Sequence, residues 1–402
     1  MGLARLAAVG PVPDRESGVV AGVGDASPSL VDAKKAMPKR KIRVGVLFGG
    51  RSGEHEVSLT SAQGIMKALN KDKYEVVPIG ISKGGRWMVG GDPMTALRSA
   101  ADMPPVLAAV ADEEAEAPQT VLVPLEPRQS ALTTADQPLE VDVIFPVLHG
   151  PFGEDGTVQG LLELTGLPYV GAGVMASAVG MDKAITKDVF RAHGLPILPY
   201  RVFLRGTWEA DPRAVITDCE AALHYPMFTK PANLGSSVGI NKAHDQDELV
   251  TGLEEAARYD RKLIVEQGIE AREIEVSILG NDEPIASVPG EIIPSREFYS
   301  YAAKYIDDAS DLLIPAPISE ERTGHVRRLA IEAYQAIDCA GLARVDFLMD
   351  KTTDDLWLNE VNTIPGFTPI SMYPKLWEAT GISYTDLIDR LIQLALERHQ
   401  DK

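Results

Sequence analysis

The chain has 402 residues, of which 45% are hydrophobic, and a formal net charge of −19. That length accommodates two or three domains with buried cores, and so acidic a chain lacks the basic footprint of a nucleic-acid-binding surface. No apolar run reaches the roughly 18 residues of a membrane span. Two cysteines, Cys219 and Cys339, make neither a disulfide framework nor a metal-spacing motif and read as buried thiols in a reducing compartment.

Residues 1–40 are rich in Gly, Pro, Ala and Ser and read as a disordered extension. The apolar run Leu6–Val9 is too short for a secretory signal, and Met37 is a candidate start of translation. Ile42–Phe48 reads as a strand, 49–53 as a loop, Glu54–Leu69 as a helix and Tyr74–Ile81 as a second strand. This βαβ start predicts a doubly wound α/β layer. Residues 85–140 are expected to form an irregular surface excursion, before Val141–Leu148 returns to strand and a helix-rich connection runs from Thr157 to about Gly173. A second domain is expected from Met175, with a helix over Lys183–His193, strands over Tyr225–Lys230 and Ser237–Ile240, a helix over Gln246–Tyr259 and a strand over Leu263–Gln267. A third region runs from Glu270 to the C-terminus, ending in an amphipathic helix over Thr385–Glu397.

Four polar residues of this third region carry the most information. Leu342–Met349 and Leu356–Asn362 are strand-like, and the short polar linker 351–355 joins them as a hairpin. With Thr353 at its midpoint, Asp346 lies opposite Glu360 and Arg344 opposite Asn362, all on one face. Opposed carboxylates repel, and Asp, Glu and Asn offer oxygen donors that suit Mg²⁺ or Mn²⁺. A solvated sheet face with an ordinary Arg–Asp pair is the competing reading. The Pro-Gly turn in Thr363–Thr368 would present backbone N–H groups beside such a metal.

Other segments offer ligand chemistry. In Lys230–Gly239, Gly235, Ser236, Ser237 and Gly239 let backbone approach a phosphate, although the loop is no Walker A motif and a plain Gly-Ser hairpin has the same composition. Lys183 and Lys230 could each offer an ammonium to phosphate oxygens. The Glu266–Glu273 segment offers main chain for an adenine and a carboxylate for a ribose. The loops holding Glu54, His55 and Glu56 and holding His149–Gly156 follow strands of the doubly wound layer, where ligands bind. Phe298–Tyr305, with three tyrosines and a lysine, reads as a lid or as a packed aromatic loop.

Seven runs, in order, resemble the ATP-grasp fold and, more narrowly, the D-alanine–D-alanine ligase family: Leu47–Ser58, His149–Thr157, Met181–Lys183, Lys230–Gly239, Phe298–Tyr305, Ala343–Phe347 and Asn359–Thr368. The resemblance implies an α/β chain, α+β in its nucleotide-binding part, with three domains: a Rossmann-like one at 41–174, a central one at 175–267 and a catalytic one at 268–402. It implies ATP-dependent joining of two D-alanines through an acyl phosphate, for peptidoglycan, in a cytoplasmic homodimer with no nucleic-acid or membrane partner. Glu56 would hold the first amino group with His149 nearby, and Ser236 and Tyr305 would bond to Glu56 and fasten the lid. Lys183, Lys230 and Lys304 match phosphate contacts, Ser237 the phosphate loop, and Glu266 and Glu273 adenosine contacts. Arg344 and the Gly366 N–H match oxyanion stabilisers, Ser371 and Met372 the second substrate's pocket, and Asp346, Glu360 and Asn362 the ligands of two Mg²⁺ (or Mn²⁺) ions. Related readings are D-alanine–D-lactate or D-alanine–D-serine ligation, and a catalytically silent nucleotide-binding regulator.

Overall fold

The protein is described by a computed structural model over residues 40–102, 119–121, 132–134, 138–235, 238–293, 311–368 and 370–401. The body described below lies within Lys41–Lys402. Strand β1 (Ile42–Gly49), helix α1 (His55–Ala68) and strand β2 (Tyr74–Ile81) form the expected βαβ unit, with β1 parallel to β2. β1 is buried on both faces from Val44 onward, so its sequence is a continuous apolar run rather than an alternating one. At Gly49 the chain leaves the sheet with φ +93°, and a Cβ there would stand 2.2 Å from the Ile81 carbonyl oxygen. Only glycine fits this exit, which delivers residues 50–54 to the carboxyl end of the sheet.

The expectation of an irregular excursion after residue 85 is corrected. Strand β3 (Trp87–Val89) pairs antiparallel with β2, helix α2 (Pro93–Asp102) packs on β2, and strand β4 (Gln119–Thr120) pairs with β3. Leu97 packs against Gly80, and Val89, Val121 and Leu132 are buried. Each short piece contributes one or two core residues, too few to leave a readable period. The acidic stretch 112–116 lies outside the described residues. Strand β5 (Val143–Val147) completes the sheet, in the order β4-β3-β2-β1-β5.

Helices α3 (Thr157–Thr165), α4 (Val174–Met181) and α5 (Lys183–Ala192) follow. Asp182 ends α4 and caps α5, accepting from the N–H groups of Ala184 and Ile185. A four-stranded antiparallel sheet comes next, from β6 (Tyr200–Leu204), β7 (Met227–Pro231), β8 (Asn241–Ala243) and β9 (Lys262–Gln267), in the order β6-β9-β7-β8. Helices α6 (Arg205–Ala210) and α7 (Pro212–Ala222) lie between β6 and β7, and α8 (Gln246–Tyr259) has the bounds expected for it. The strand expected at 237–240 is displaced. Val238 and Gly239 form a turn, with Gly239 at φ +71°, and pairing starts at Asn241.

The third sheet is antiparallel, in the order β13-β12-β10-β14-β15 with β11 paired to β10. Its strands are β10 (Ala271–Gly280), β11 (Ile285–Ala286), β12 (Gly290–Ile293), β13 (Asp311–Leu313), β14 (Gly341–Asp350) and β15 (Leu356–Asn362). Helix α9 (Glu320–Ala336) buries Val326, Ala330 and Ala333 in one core with Val345, Phe347 and Val361. That core covers one face of the sheet and leaves the other for the site. Helices α10 (Met372–Ala379) and α11 (Tyr384–Gln400) close the chain, and Leu387 and Leu391 share a core with Val44 and Phe145 of the first sheet. Cys219 and Cys339 are free thiols and both are buried. Among the described residues, no helix is long and apolar enough to cross a membrane.

Candidate active site

Along β14, Ala343, Val345, Phe347 and Met349 are buried, while Arg344, Asp346 and Leu348 face the other way and are partly exposed. The ladder to β15 sets Arg344 opposite Asn362 and Asp346 opposite Glu360, the pairing that the sequence predicts. Beyond Asp346 the register slips, because Phe347 pairs with Leu358 and leaves Asn359 without an opposite number. This bulge reverses the parity of β15. Leu356, Leu358 and Val361 are all buried, whereas Glu360 and Asn362 face the site. Strict alternation would have exposed the two leucines. A hairpin centred on Thr353 is therefore right at the site and one residue out at the turn.

The Arg344 guanidinium forks onto Asp346, with Nε 2.7 Å from Oδ1 and Nη2 2.7 Å from Oδ2. Asn362 Nδ2 donates to Asp346 Oδ2 at 2.9 Å. Glu275, opposite Asp346 on β10, brings Oε2 within 2.9 Å of Arg344 Nε. Burial would lower the pKa of Arg344, but Asp346 and Glu275 outweigh it and lock the charge on. Asp346, Glu360 and Asn362 present oxygen atoms on one face, and this donor set fits a hard divalent cation. Among the described residues no group of three or more His, Cys, Asp or Glu is placed to hold a metal; this face sets the Asn362 amide beside the two carboxylates.

A second cluster centres on Glu266, which is 2% exposed. Lys230 Nζ lies 2.6 Å from its Oε2, and the equally buried Lys187 pairs with Oε1. Burial would raise the Glu266 carboxyl, but the two ammoniums outweigh it and hold it at about 2. Burial lowers the pKa of Lys187 despite Glu266, and Glu360 also bears on it, which ties this cluster to the hairpin. Lys183 Nζ donates to the Leu234 carbonyl at 2.6 Å and so braces the small-residue loop. Glu273 lies on β10 two residues before Glu275, on the same face.

At the first sheet's carboxyl end, His149 is buried, with Nδ1 3.2 Å from the Ile364 carbonyl oxygen and 3.4 Å from Glu154 Oε1. Burial would lower its pKa, but Glu154 and then Glu54 raise it. Burial also raises the Glu154 carboxyl. Glu54 Oε2 points to the loops, 2.9 Å from where a Cβ on Gly150 would stand and 3.7 Å from one on Gly235. Glu56 is exposed and pairs with Lys83 at 3.1 Å. The carboxylates that bear on His149 are thus Glu154 and Glu54.

The turn after β15 is pinned by Phe367. Its ring packs against Phe145, Tyr373 and Tyr384, and its carbonyl accepts from the Tyr384 hydroxyl at 2.7 Å. Gly366 is thereby fixed next to Ser371, whose Oγ would be 3.0 Å from a Cβ at that position. Ser371 Oγ also bonds Thr368 Oγ1 at 2.7 Å. Met372 is 5% exposed and packs with Ile292 and Leu376. Ser236, Ser237, Lys304, Tyr305 and the expected lid lie outside the described residues.

The geometry therefore joins the hairpin residues, Lys230 and Glu266 into one region. It adds Lys187 and Glu275, and it singles out Glu54 and Glu154 within the two loops that the sequence marks for ligand binding. Lys187 is one turn beyond Lys183 on α5 and Glu275 two residues beyond Glu273 on β10, so same-face spacing was the available signal. Residues 43–172 match the family model described as D-ala D-ala ligase N-terminus, and 189–393 match the D-ala D-ala ligase C-terminus. The chain belongs to the D-Ala–D-Ala ligase family. It is 52% identical over 366 residues to the D-alanine–D-alanine ligase of Heliobacterium modesticaldum, covering 90% of this chain and 96% of that one. Among solved structures, the D-alanine–D-alanine ligase from Coxiella burnetii is 37% identical with a TM-score of 0.76, over 90% of this chain and 95% of that one. A D-Ala:D-Ser ligase from Enterococcus faecalis is 34% identical with a TM-score of 0.78, over 89% and 100%. The fold is the mixed α/β ATP-grasp fold of these ligases.

Proposed function

We propose that this member of the D-Ala–D-Ala ligase family joins two D-alanine molecules at the expense of ATP, supplying D-alanyl-D-alanine for the cell wall. The observation that carries the reading is the one-faced set of Arg344, Asp346, Glu360 and Asn362, in a chain about half identical to named D-alanine–D-alanine ligases over 90% of its length. The carboxylate of the first D-alanine attacks the γ-phosphorus of ATP, and ADP leaves as an acyl phosphate forms. The amine of the second attacks the acyl carbon, and phosphate leaves from the tetrahedral intermediate.

Roles follow for the residues of the site. Glu54, whose Oε2 points to the loops at Gly150 and Gly235, holds the first ammonium near His149 in place of the exposed Glu56, which pairs with Lys83, and Ser236 and Tyr305 fasten the lid over it. Lys183, Lys230 and Lys304 meet phosphate oxygens, with Ser237 in the phosphate loop, while Glu266 and Glu273 serve the adenosine. Arg344 and the Gly366 N–H donate to the developing oxyanion, where one preorganised donor contributes about 3–4 kcal/mol. Ser371 takes the second carboxylate and Met372 borders its side chain. Asp346, Glu360 and Asn362 would hold two Mg²⁺ or Mn²⁺ ions, which supply charge neutralisation to the transferring phosphoryl group. We also propose the three-domain division at 174/175 and 267/268, homodimerisation and a cytoplasmic location.

The test is ADP release with Mg-ATP and D-alanine, with the product identified by mass and D-lactate and D-serine supplied as rival second substrates. D-alanine-dependent release with dipeptide as the product supports the reading. Preferential coupling to D-serine or D-lactate replaces the second substrate, and ATP binding without turnover overturns the enzyme.

A further inference from the structure

Arg344 meets two carboxylates that differ in what else they must do. Asp346 takes both Nε and Nη2 of the fork, but it also accepts from Asn362 and stands opposite Glu360. It belongs to the candidate metal set, so its lone pairs are in demand. Glu275 comes from the neighbouring strand β10, brings one oxygen to Nε at 2.9 Å, and is more buried, at 6% side-chain exposure against 13% for Asp346. It is outside the metal set. On its far side it pairs with Gly290, where a Cβ would stand 2.8 Å from Leu376 Cδ2. The backbone thus packs tightly where the Glu275 carboxylate is based.

We infer that Glu275 is the positioning residue of Arg344: its buried carboxylate, ion-paired at Nε, holds the guanidinium beside Asp346 and takes over the Nε–H when Asp346 is engaged by metal, so that the fork keeps its aim at the developing oxyanion. The inference rests on the reading of Arg344 as an oxyanion donor. Preorganised donors act because they need no reorganisation as charge develops. An arginine held by Asp346 alone would lose its geometry whenever Asp346 turned to another partner. Nε carries one hydrogen, now bonded to Asp346 Oδ1, and Glu275 offers that nitrogen a second acceptor that spends neither Nη group. Arginine and lysine differ at this point, since only the fork has an Nε to hold.

The experiment is a double-mutant cycle in the full-length enzyme with Glu275→Gln, Arg344→Lys and the pair, alongside Glu275→Asp and Arg344→Ala. D-alanine-dependent ADP release gives kcat and each KM, and thermal unfolding gives Tm. Glu275→Gln keeps the shape and is expected to lower kcat on the order of 10- to 100-fold, less than removal of a whole oxyanion donor, with KM for ATP and Tm nearly unchanged. Glu275→Asp is expected to recover part of the loss. In the Arg344→Lys background, Glu275→Gln is expected to cost little more, because residues acting as a unit are non-additive. Wild-type kcat in Glu275→Gln, losses that multiply in the pair, or an effect confined to Tm would overturn the inference while Arg344→Ala stays inactive. An active Arg344→Ala would overturn the oxyanion reading and the inference with it.

Discussion

Asp346 stands directly opposite Glu360 across the β14–β15 ladder, and the ladder slips by one residue immediately beyond the pair. The slip lets one strand serve two masters, with Leu356 and Leu358 in the core and Glu360 and Asn362 at the site. Two variants separate these tasks. Deleting Asn359 forces either the leucines out or Glu360 and Asn362 in, and full exposure of a leucine costs about 1.5–3 kcal/mol. Its urea midpoint is expected to fall sharply. Glu360→Gln removes a like charge opposite Asp346, so its midpoint is expected to hold or rise while turnover at limiting Mg²⁺ falls more than about 10-fold. An unchanged rate would remove Glu360 from the metal set.

The pairing of Asp346 with Glu360 was legible because a period-two pattern and a short polar linker fix which residues face each other. The bulge was not, since Asn359 resembles any polar strand residue. The βαβ start and α8 were legible from long apolar periods. The elements β3, α2 and β4 were not, because none of them buries more than two of its described residues. Lys187 escaped for another reason: an isolated lysine reads as surface, and only the folded chain brings Glu266 to it. The pairing of Glu56 with Lys83, and the approach of Glu54 to Gly150 and Gly235, depend on how a loop turns, which residue types do not specify.

Lys187→Met leaves Glu266 with Lys230 alone. Breaking a buried ion pair from one side costs about 3–5 kcal/mol, and Lys187→Met with Glu266→Gln is expected to regain part of this. The pH dependence follows from the depressed carboxyl. Glu266 sits at about 2 in the fold against an ordinary 4.5, so its contribution is complete above about 4.5 and is lost as pH falls toward 2. In Lys187→Met the folded value rises toward 4.5, so that acid loss is expected to be smaller and to end at higher pH. Urea midpoints between pH 2 and 7 check both points, and ATP titration checks whether KM rises with the loss of the pair.

Phe367→Ala tests the anchoring of the turn that carries Gly366. The ring is 2% exposed and lies 5.5–6.1 Å from three other aromatic rings, so truncation is expected to cost about 3–5 kcal/mol. Tyr384→Phe removes only the hydroxyl that donates to the Phe367 carbonyl, for about 1 kcal/mol. If Gly366 serves the oxyanion, Tyr384→Phe lowers kcat more than it lowers stability. Matching losses in both would leave the turn a purely structural feature.

His149 and Glu154 both hold protons more readily in the fold than their ordinary values of 6.5 and 4.5 imply. For His149, burial works against the proton and Glu154 wins. For Glu154, burial itself is the chief cause. A folded state that binds more protons than the unfolded one loses stability as pH rises. The His149 contribution is therefore complete below about 6.5 and fades as pH climbs through its folded value, and that of Glu154 begins to fade above about 4.5. The two groups are in contact and titrate as a pair. In Glu154→Gln the imidazole keeps its burial and loses its main partner, so its midpoint is expected to drop below 6.5 and the slope of stability against pH near neutrality to reverse. NMR titration of the His149 ring with urea midpoints from pH 5 to 8 reads both. A His149 midpoint that stays above 6.5 in Glu154→Gln would show that Glu54, and not Glu154, holds the proton there.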